Sequence, residues 1–522
     1  MKYSNPVIPA FHPDPSICRV GEDYFLVTSS FEYVPGVPLF HSRDLVHWRQ
    51  VGHVLTRPSQ LSFPNWGPSL GIFAPTIRHH DGTFYMVTTN VSDRGNFYVH
   101  TRDPFGEWSD PIWVEQGGID PSLFFDDDGR VYLTSTGTLH FPLPEEVDPA
   151  APFWEDQQSE IDISTGELFT EPRLVWNGTG GRFPEGPHLY KIKGRYYLLL
   201  AEGGTEHDHM VTIARSDTPW GPWESCPHNP ILTHRSHHSP FQALGHADLI
   251  EAHDGSWWLV CLGIRPQGYP PATQLGRETF LAPVRWDDDG WPHVGQDGRI
   301  RVEMEGPALE PVTWEAEPER DDFDGSRLGI KWNFLGTPPE GMWSLTDRPG
   351  ALRLEGNEAR LDDGPPVAFV GRRQEHVTCE VATLLDFEPQ GEEEAGLTVW
   401  MNPSHHYDLF VTQRDGRRQV VGRRRIGSLV AEVAHVPIER GPVTLTVEAQ
   451  PEGYTLGVVG TAGERQTIAT GEARYLSKEV TGSMTGVYFA LYASDNGRSV
   501  SSPAFFEWFD YRIAVPEGKE SA

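Results

Sequence analysis

The sequence predicts an all-β protein, a five-bladed β-propeller followed by a β-sandwich domain. Three observations carry that expectation. A short aromatic and aliphatic run behind a Gly-containing turn recurs five times in the N-terminal part. Alternating apolar and polar runs separated by turns fill the C-terminal part. The composition, with 53 Gly, 45 Pro and 11% aromatic residues, suits many short strands joined by tight turns.

The recurring segments are GEDYFLVTSS (21–30), DGTFYMVTTN (81–90), DGRVYLTSTG (128–137), KGRYYLLLAE (193–202) and DGSWWLVCLG (254–263). In each, Gly supplies the positive φ of a hairpin turn and the β-branched or aromatic run supplies the strand. The intervals leave room for four-stranded blades with outer loops of variable length. A plain β-sandwich with chance likeness between its turns is the simpler alternative. A second strand precedes each turn, and the five starts read HPDPSICRV (12–20), FAPTIRHH (73–80), IDPSLFFD (119–126), PEGPHLYK (184–191) and GHADLIEA (245–252).

A Pro- and Glu-rich connection, EGPALEPVTWEAEPERDDFDG (305–325), marks the domain boundary. The expected layout is a catalytic propeller over 1–304, a linker over 305–320, a sandwich over 321–516 and a tail over 517–522. Short strands such as VTCEVATLL (377–385), YDLFVT (407–412) and GVYFALYAS (486–494) alternate as a sandwich requires.

The 42 basic and 74 acidic residues leave a formal net charge of −32. Such a chain repels phosphate backbones and anionic lipid, so neither a nucleic acid nor a membrane is expected as a partner. No run approaches the length of a membrane span. The start MKYSNPVIPAFHPDPS lacks a basic patch followed by an apolar run, so the expectation is a cytoplasmic protein without a signal peptide. Four widely spaced cysteines form no CxxC pair and read as ordinary thiols.

In a propeller the innermost strands begin beside the central axis, so their starts converge. Three starts carry a carboxylate, Asp14, Asp120 and Glu185; the others carry Ala74 and the His246–Ala247 pair. Acids such as Asp81, Asp127, Asp128, Asp254 and the run 287–289 fall in turns and read as turn residues. Three carboxylates on one axis repel each other unless a cation or acid–base chemistry uses them. Their crowding also drives their pKa values apart, so one site can hold both an acid and a base.

At these residues the sequence resembles glycoside hydrolase family 43. The matching segments are NPVIPAFHPDPS (5–16), GIFAPTIR (71–78), GGIDPSLFFDDDG (117–129), FPEGPHLYK (183–191), AEGGTEHDHM (201–210), GHADL (245–249) and LGRETFLAPVRW (275–286). The remainder resembles the concanavalin-like domain attached to the family's β-xylosidases. The resemblance implies an inverting exo-hydrolase that releases xylose from xylo-oligosaccharides or arabinoxylo-oligosaccharides, with α-L-arabinofuranosyl groups as a second target. A dedicated α-L-arabinofuranosidase is the near alternative. A retaining fructosidase, suggested by RDP at 102–104, and a non-catalytic carbohydrate-binding propeller are more remote.

Carried over by motif, Asp14 is the general base, Glu185 the general acid, and Asp120 the residue that orients the acid and keeps its pKa raised. Arg277 of LGRETF is the candidate donor to sugar hydroxyls, with a surface ion pair as its alternative. Phe31 and Phe73 either wall the pocket or pack between blades. Many xylosidases of the family carry Trp where this chain has Phe73. Thr205 of AEGGT is a further pocket candidate. His246 faces a water or a calcium ion in some family members, or is a hydrogen-bonded core histidine; no cofactor is otherwise expected. Phe506 either reaches the active site from the loop 494–505 or belongs to the core of the last strand. The histidine clusters at 207–209 and 234–238 lack partners at ligand spacing and read as polar loops. The resemblance also implies a homo-oligomer.

Overall fold

A computed structural model of the chain describes residues 1–137, 141, 155–460, 463–498 and 502–513. The expected tail at 517–522 and positions 499–501 lie outside the described residues. Among the described residues the regular structure is strand apart from two 3-10 turns and one four-residue helix, Lys478–Thr481. No helix there is long and apolar enough to cross a membrane.

The chain divides into two compact units, Met1–Arg265 with Arg277–Trp314, and Pro266–Gly276 with Glu315–Ala522. The first unit holds five antiparallel sheets of four or five strands, each with its first four strands in sequence order. Their first strands are Ser16–Val20, Thr76–His80, Ile119–Phe125, Glu185–Ile192 and Gln242–Glu251. All five expected turn glycines, Gly21, Gly82, Gly129, Gly194 and Gly255, have positive φ.

Apolar seams join the sheets in sequence. Phe25, Val27, Ile77 and Met86 pack between the first and second. Val87, Tyr98, Leu123 and Leu133 pack between the second and third. Tyr132, Leu189 and Tyr196 follow, then Leu199, Ile213, Leu249 and Leu259. The fifth seam joins the last sheet to the first through Ile17, Tyr24, Leu26, Trp258 and Val260, so the series closes on itself. Each large side chain removed from water contributes roughly 1.5–3 kcal/mol, so the seams are the main cohesive force.

The N-terminal segment runs along the fifth sheet. Lys2–Ser4 pairs with Glu303–Glu305, and Ile8 bridges Thr279. Buried Asn5 accepts from the Leu281 N–H at 2.9 Å and donates to the Leu281 carbonyl at 3.0 Å. The Pro- and Glu-rich connection is anchored as far as Trp314. Its indole N–H donates to the His47 carbonyl at 3.0 Å, and Arg49 lies 4.1 Å from its ring.

In the second unit a six-stranded and an eight-stranded sheet enclose one apolar core. Pro266–Gly276 groups with this unit although it interrupts the fifth sheet of the first. Thr273 donates its N–H and hydroxyl to the Glu479 carboxylate at 2.8 and 2.7 Å. Arg423, at the start of a basic run, is spent on Asp408 and Glu394, both 2.7 Å away. Phe506, in the strand Ala504–Ile513, is fully buried in the sandwich core. That corrects the expectation that it contacts substrate, because no part of its ring is left uncovered.

Asn5→Ala removes the side chain that holds both polar groups of Leu281. Its expected cost is about 1–3 kcal/mol, the usual penalty for orphaned buried groups. A chemical-denaturation midpoint equal to the parent's would show that this fastening contributes nothing.

Candidate active site

A shared backbone feature positions the site. Asp14, Asp120, Gly186 and His246 all have left-handed φ, at 55°, 52°, 62° and 46°. The first three stand at the start of a first strand and His246 lies inside one, Gln242–Glu251, and three of these strands carry a break in ladder register beside them: between Ile119 and Ser122, Glu185 and His188, and Gly245 and Ala247. A bulge of this kind bends the strand and re-aims the side chain beside it. Three non-glycine residues held at positive φ are strained, and such strain gathers at functional sites. The left-handed position in the fourth sheet is therefore Gly186, and Glu185 sits one residue before it. A Cβ on Gly186 would lie 3.1 Å from the His246 ring, so the close approach suits glycine.

The three carboxylates are buried, at 4%, 7% and 8% exposure for Asp14, Asp120 and Glu185. Asp14 Oδ1 accepts from Arg277 Nη1 at 2.8 Å and Oδ2 accepts from Ser29 Oγ at 2.6 Å. Arg277 is therefore a buried partner of Asp14, 3% exposed, rather than half of a surface ion pair. Its guanidinium carbon lies 5.5 Å from the centre of the Phe31 ring. Phe31 is buried and tilts against Phe73 at 5.1 Å and Phe11 at 5.7 Å. Phe73 is only partly covered.

Asp120 is pushed up to about 7. Burial is the largest cause; the His246 imidazole and the Gly186 N–H oppose it, while the Glu185 and Asp14 carboxylates add to it. His246 Nδ1 lies 3.9 Å from Asp120 Oδ2. Behind Asp120 stands Asp156, fully buried and pushed up to about 8. Burial again dominates, against a bond from Thr136, with Asp120 and Glu202 adding to the rise. Burial thus pushes two neighbouring acids, Asp120 and Asp156, toward their neutral forms.

His209 lies beside Glu185, with Nε2 3.8 Å from Oε1. It is fully buried, and Nδ1–H donates to the Ala243 carbonyl at 3.0 Å. That bond fixes the tautomer and aims Nε2 at the acid. A Cβ on Gly245 would fall 2.3 Å from the His209 ring, so glycine is required there. Sequence reasoning grouped His209 with polar loop histidines; its place at the start of the strand Met210–Ser216 was the available signal. Deeper in the ring, Asp248 accepts from Ser16 Oγ at 2.7 Å, Ile17 N–H at 3.0 Å, Arg78 at 2.8 Å and Tyr190 at 2.5 Å. Burial would raise Asp248, but Arg78 first and His188 next hold it well below the usual carboxylate range. This network ties four of the five first strands together beneath the acids.

Thr205 is partly covered, in the loop between the second and third strands of the fourth sheet. The RDP at 102–104 follows the strand Gly95–Thr101, with Arg102 and Asp103 exposed, away from the acids.

A profile of glycosyl hydrolases family 43 matches residues 3–292, and one of the β-xylosidase C-terminal concanavalin A-like domain matches 320–512. A non-reducing end α-L-arabinofuranosidase of Bacteroides ovatus is 43% identical over 98% of this chain and 94% of its own. A xylosidase/arabinosidase of Butyrivibrio fibrisolvens is 38% identical over 97% of this chain and 98% of its own. The crystal structure of a xylan β-1,4-xylosidase from Bacillus halodurans superposes with a TM-score of 0.92 at 36% identity, over 98% of this chain and all of its own.

Asp120→Asn separates the cost of this site from its use. A carboxyl raised in the fold contributes stability that is full below its unfolded value, near 3.8, and is lost as pH rises through about 7. The variant is expected to melt higher than the parent at pH 8, with the gap closing toward pH 4, while losing activity. A constant gap across that range would contradict the assigned protonation.

Proposed function

The chain belongs to glycosyl hydrolases family 43, and on that footing we propose an inverting exo-glycosidase that releases xylose from the non-reducing end of xylo-oligosaccharides, with α-L-arabinofuranosyl groups as a second substrate. The observation that carries the mechanism is the electrostatic coupling of Asp120 to both Glu185 and Asp14. The five sheets are read as the blades of a propeller whose seams close on themselves, with the acids at one mouth of the axis.

Asp14 acts as general base. Arg277 and Ser29 each hold one of its oxygens, fixing the carboxylate that takes a proton from water as the water attacks the anomeric carbon. Glu185 is the general acid and delivers its proton to the leaving oxygen. Inversion needs the base and acid roughly 6.5–9.5 Å apart, on opposite faces of the sugar, with the water between sugar and base. Asp120 is the positioning residue. Two neighbouring buried carboxyls cannot both ionise cheaply, and the Glu185 charge adds to the rise at Asp120. His209 Nε2 lies 3.8 Å from Glu185 Oε1, close enough to act on its charge.

Arg277 donates to sugar hydroxyls as well as to Asp14. Phe31 and Phe73 form the apolar wall, Thr205 adds a hydroxyl at the rim, and His246 lines the floor beside Asp120. Calcium at His246 would draw most of its six to eight oxygens from water or main chain, with Asp120 the nearby carboxylate. No step of the hydrolysis depends on it. We read the protein as cytoplasmic and oligomeric, acting on small oligosaccharides rather than polymer.

A dedicated α-L-arabinofuranosidase is the second reading. Phe73, smaller than tryptophan, widens the wall, and the Bacteroides ovatus relative is named for that activity.

Glu185→Ala tests the assignment. On xylobiose, a poor leaving group, the loss is expected to be about 10²–10⁴-fold, the usual worth of a general acid. On an aryl xyloside that departs without protonation the loss is expected to be far smaller. Equal losses on both substrates would exclude Glu185 as the acid.

A further inference from the structure

Away from the acids, the fourth and fifth sheets bring together three side chains that hydrolysis does not use. His228 lies in the turn after the strand Glu224–Ser225, Asp287 follows the strand Glu278–Trp286, and His293 belongs to the strand Pro292–Val294. One ligand atom from each can be chosen so that all lie within 4.8 Å of one another, the one such cluster found among the described residues. We propose that His228, Asp287 and His293 form a site for a borderline divalent transition ion, with Zn²⁺ as its representative.

The donor set decides the class of ion. Two imidazoles and one carboxylate suit zinc and its neighbours, whereas calcium and magnesium ask for mostly oxygen ligands. Asp287 Oδ2 and His293 Nε2 are already 2.9 Å apart. Ligand atoms bound at about 2.0–2.2 Å around a tetrahedral ion stand roughly 3.3–3.6 Å apart, so this hydrogen-bonded pair need open by only about half an ångström to admit one. His228 is exposed, so a side-chain rotation brings its nitrogen the remaining distance. Its ring already stands 5.1 Å from that of His293, centre to centre.

The carboxylate is pre-oriented. Asp287 Oδ1 accepts the N–H groups of Asp289 at 3.0 Å and Trp291 at 2.8 Å, which leaves Oδ2 directed at His293. Bonds of this kind to the non-ligating atom are what fix a metal ligand in place. A pocket of about 370 Å³, lined by His228, His293, Arg285 and Asp297, leaves room for water at the remaining coordination positions. The ion would clamp the turn leaving the fourth sheet to the outer hairpin of the fifth. Cys226, Ile231, Trp291 and Val294 of the same seam lie close in sequence to the three ligands. Zinc would therefore stabilise the folded unit by mass action rather than enter the chemistry.

The test is equilibrium dialysis of the full chain against low-micromolar zinc, paired with thermal melts. The parent, His228→Ala, His293→Ala and the control His238→Ala are compared; His238 is another exposed histidine. The expected result is one zinc per chain fewer in the first two variants than in the parent and the control. Zinc should also raise the melting midpoint of the parent and the control, with that rise lost in His228→Ala and His293→Ala. Because His228 is exposed, its variant folds whether or not the site exists. Equal zinc occupancy in His228→Ala and the parent, or an undiminished midpoint rise, would overturn the proposal.

Discussion

Crowded carboxylates at the mouth of a closed ring are the constraint on which the rest depends. Each buried charge of this kind costs several kcal/mol unless it is paired or protonated. The molecule uses both remedies. Arg277 and Ser29 take up Asp14, and protonation relieves Asp120, which is pushed up to about 7. The remaining strain is carried by five apolar seams and by the Asp248–Arg78 tie beneath the site. A looser scaffold would let the acids part, and the raised pKa of Asp120 would relax toward that of an ordinary carboxylate.

The strand repeat and the three acids were legible in sequence because they share a place at strand starts. Asp14 and Asp120 each precede a proline at a strand start, and both occupy the left-handed position. Glu185 aligned with them in sequence, yet the structure gives that backbone position to Gly186. A one-residue bulge is invisible to pattern matching, although it decides which way each side chain points. His209 was missed because its role depends on burial and on the Ala243 carbonyl, far away in sequence. Phe506 carried a strand pattern that fits either a core or a loop edge, and burial settled it. The strap Pro266–Gly276 gave no signal, since its partners Glu479 and Val487 lie some two hundred residues later. The cluster of His228 with Asp287 and His293 escaped notice for the same reason.

Function divides along the same lines. The proposed proton chemistry falls on strand starts, where bulges aim the side chains. The proposed sugar contacts fall on buried Phe31 and on Phe73 and Thr205, whose side chains are partly open. The names of the relatives divide between xylosidase and arabinofuranosidase.

The central claim is that Asp14 and Glu185 act on opposite faces of the sugar without a covalent intermediate. A proton NMR time course on equal amounts of xylobiose and an arabinofuranosyl-substituted xylotriose reads it directly. The account predicts xylose released from the β linkage first as its α anomer, before mutarotation. The β anomer appearing first would mean retention and a covalent intermediate, which would contradict the assignment of Asp14 as a base acting through water.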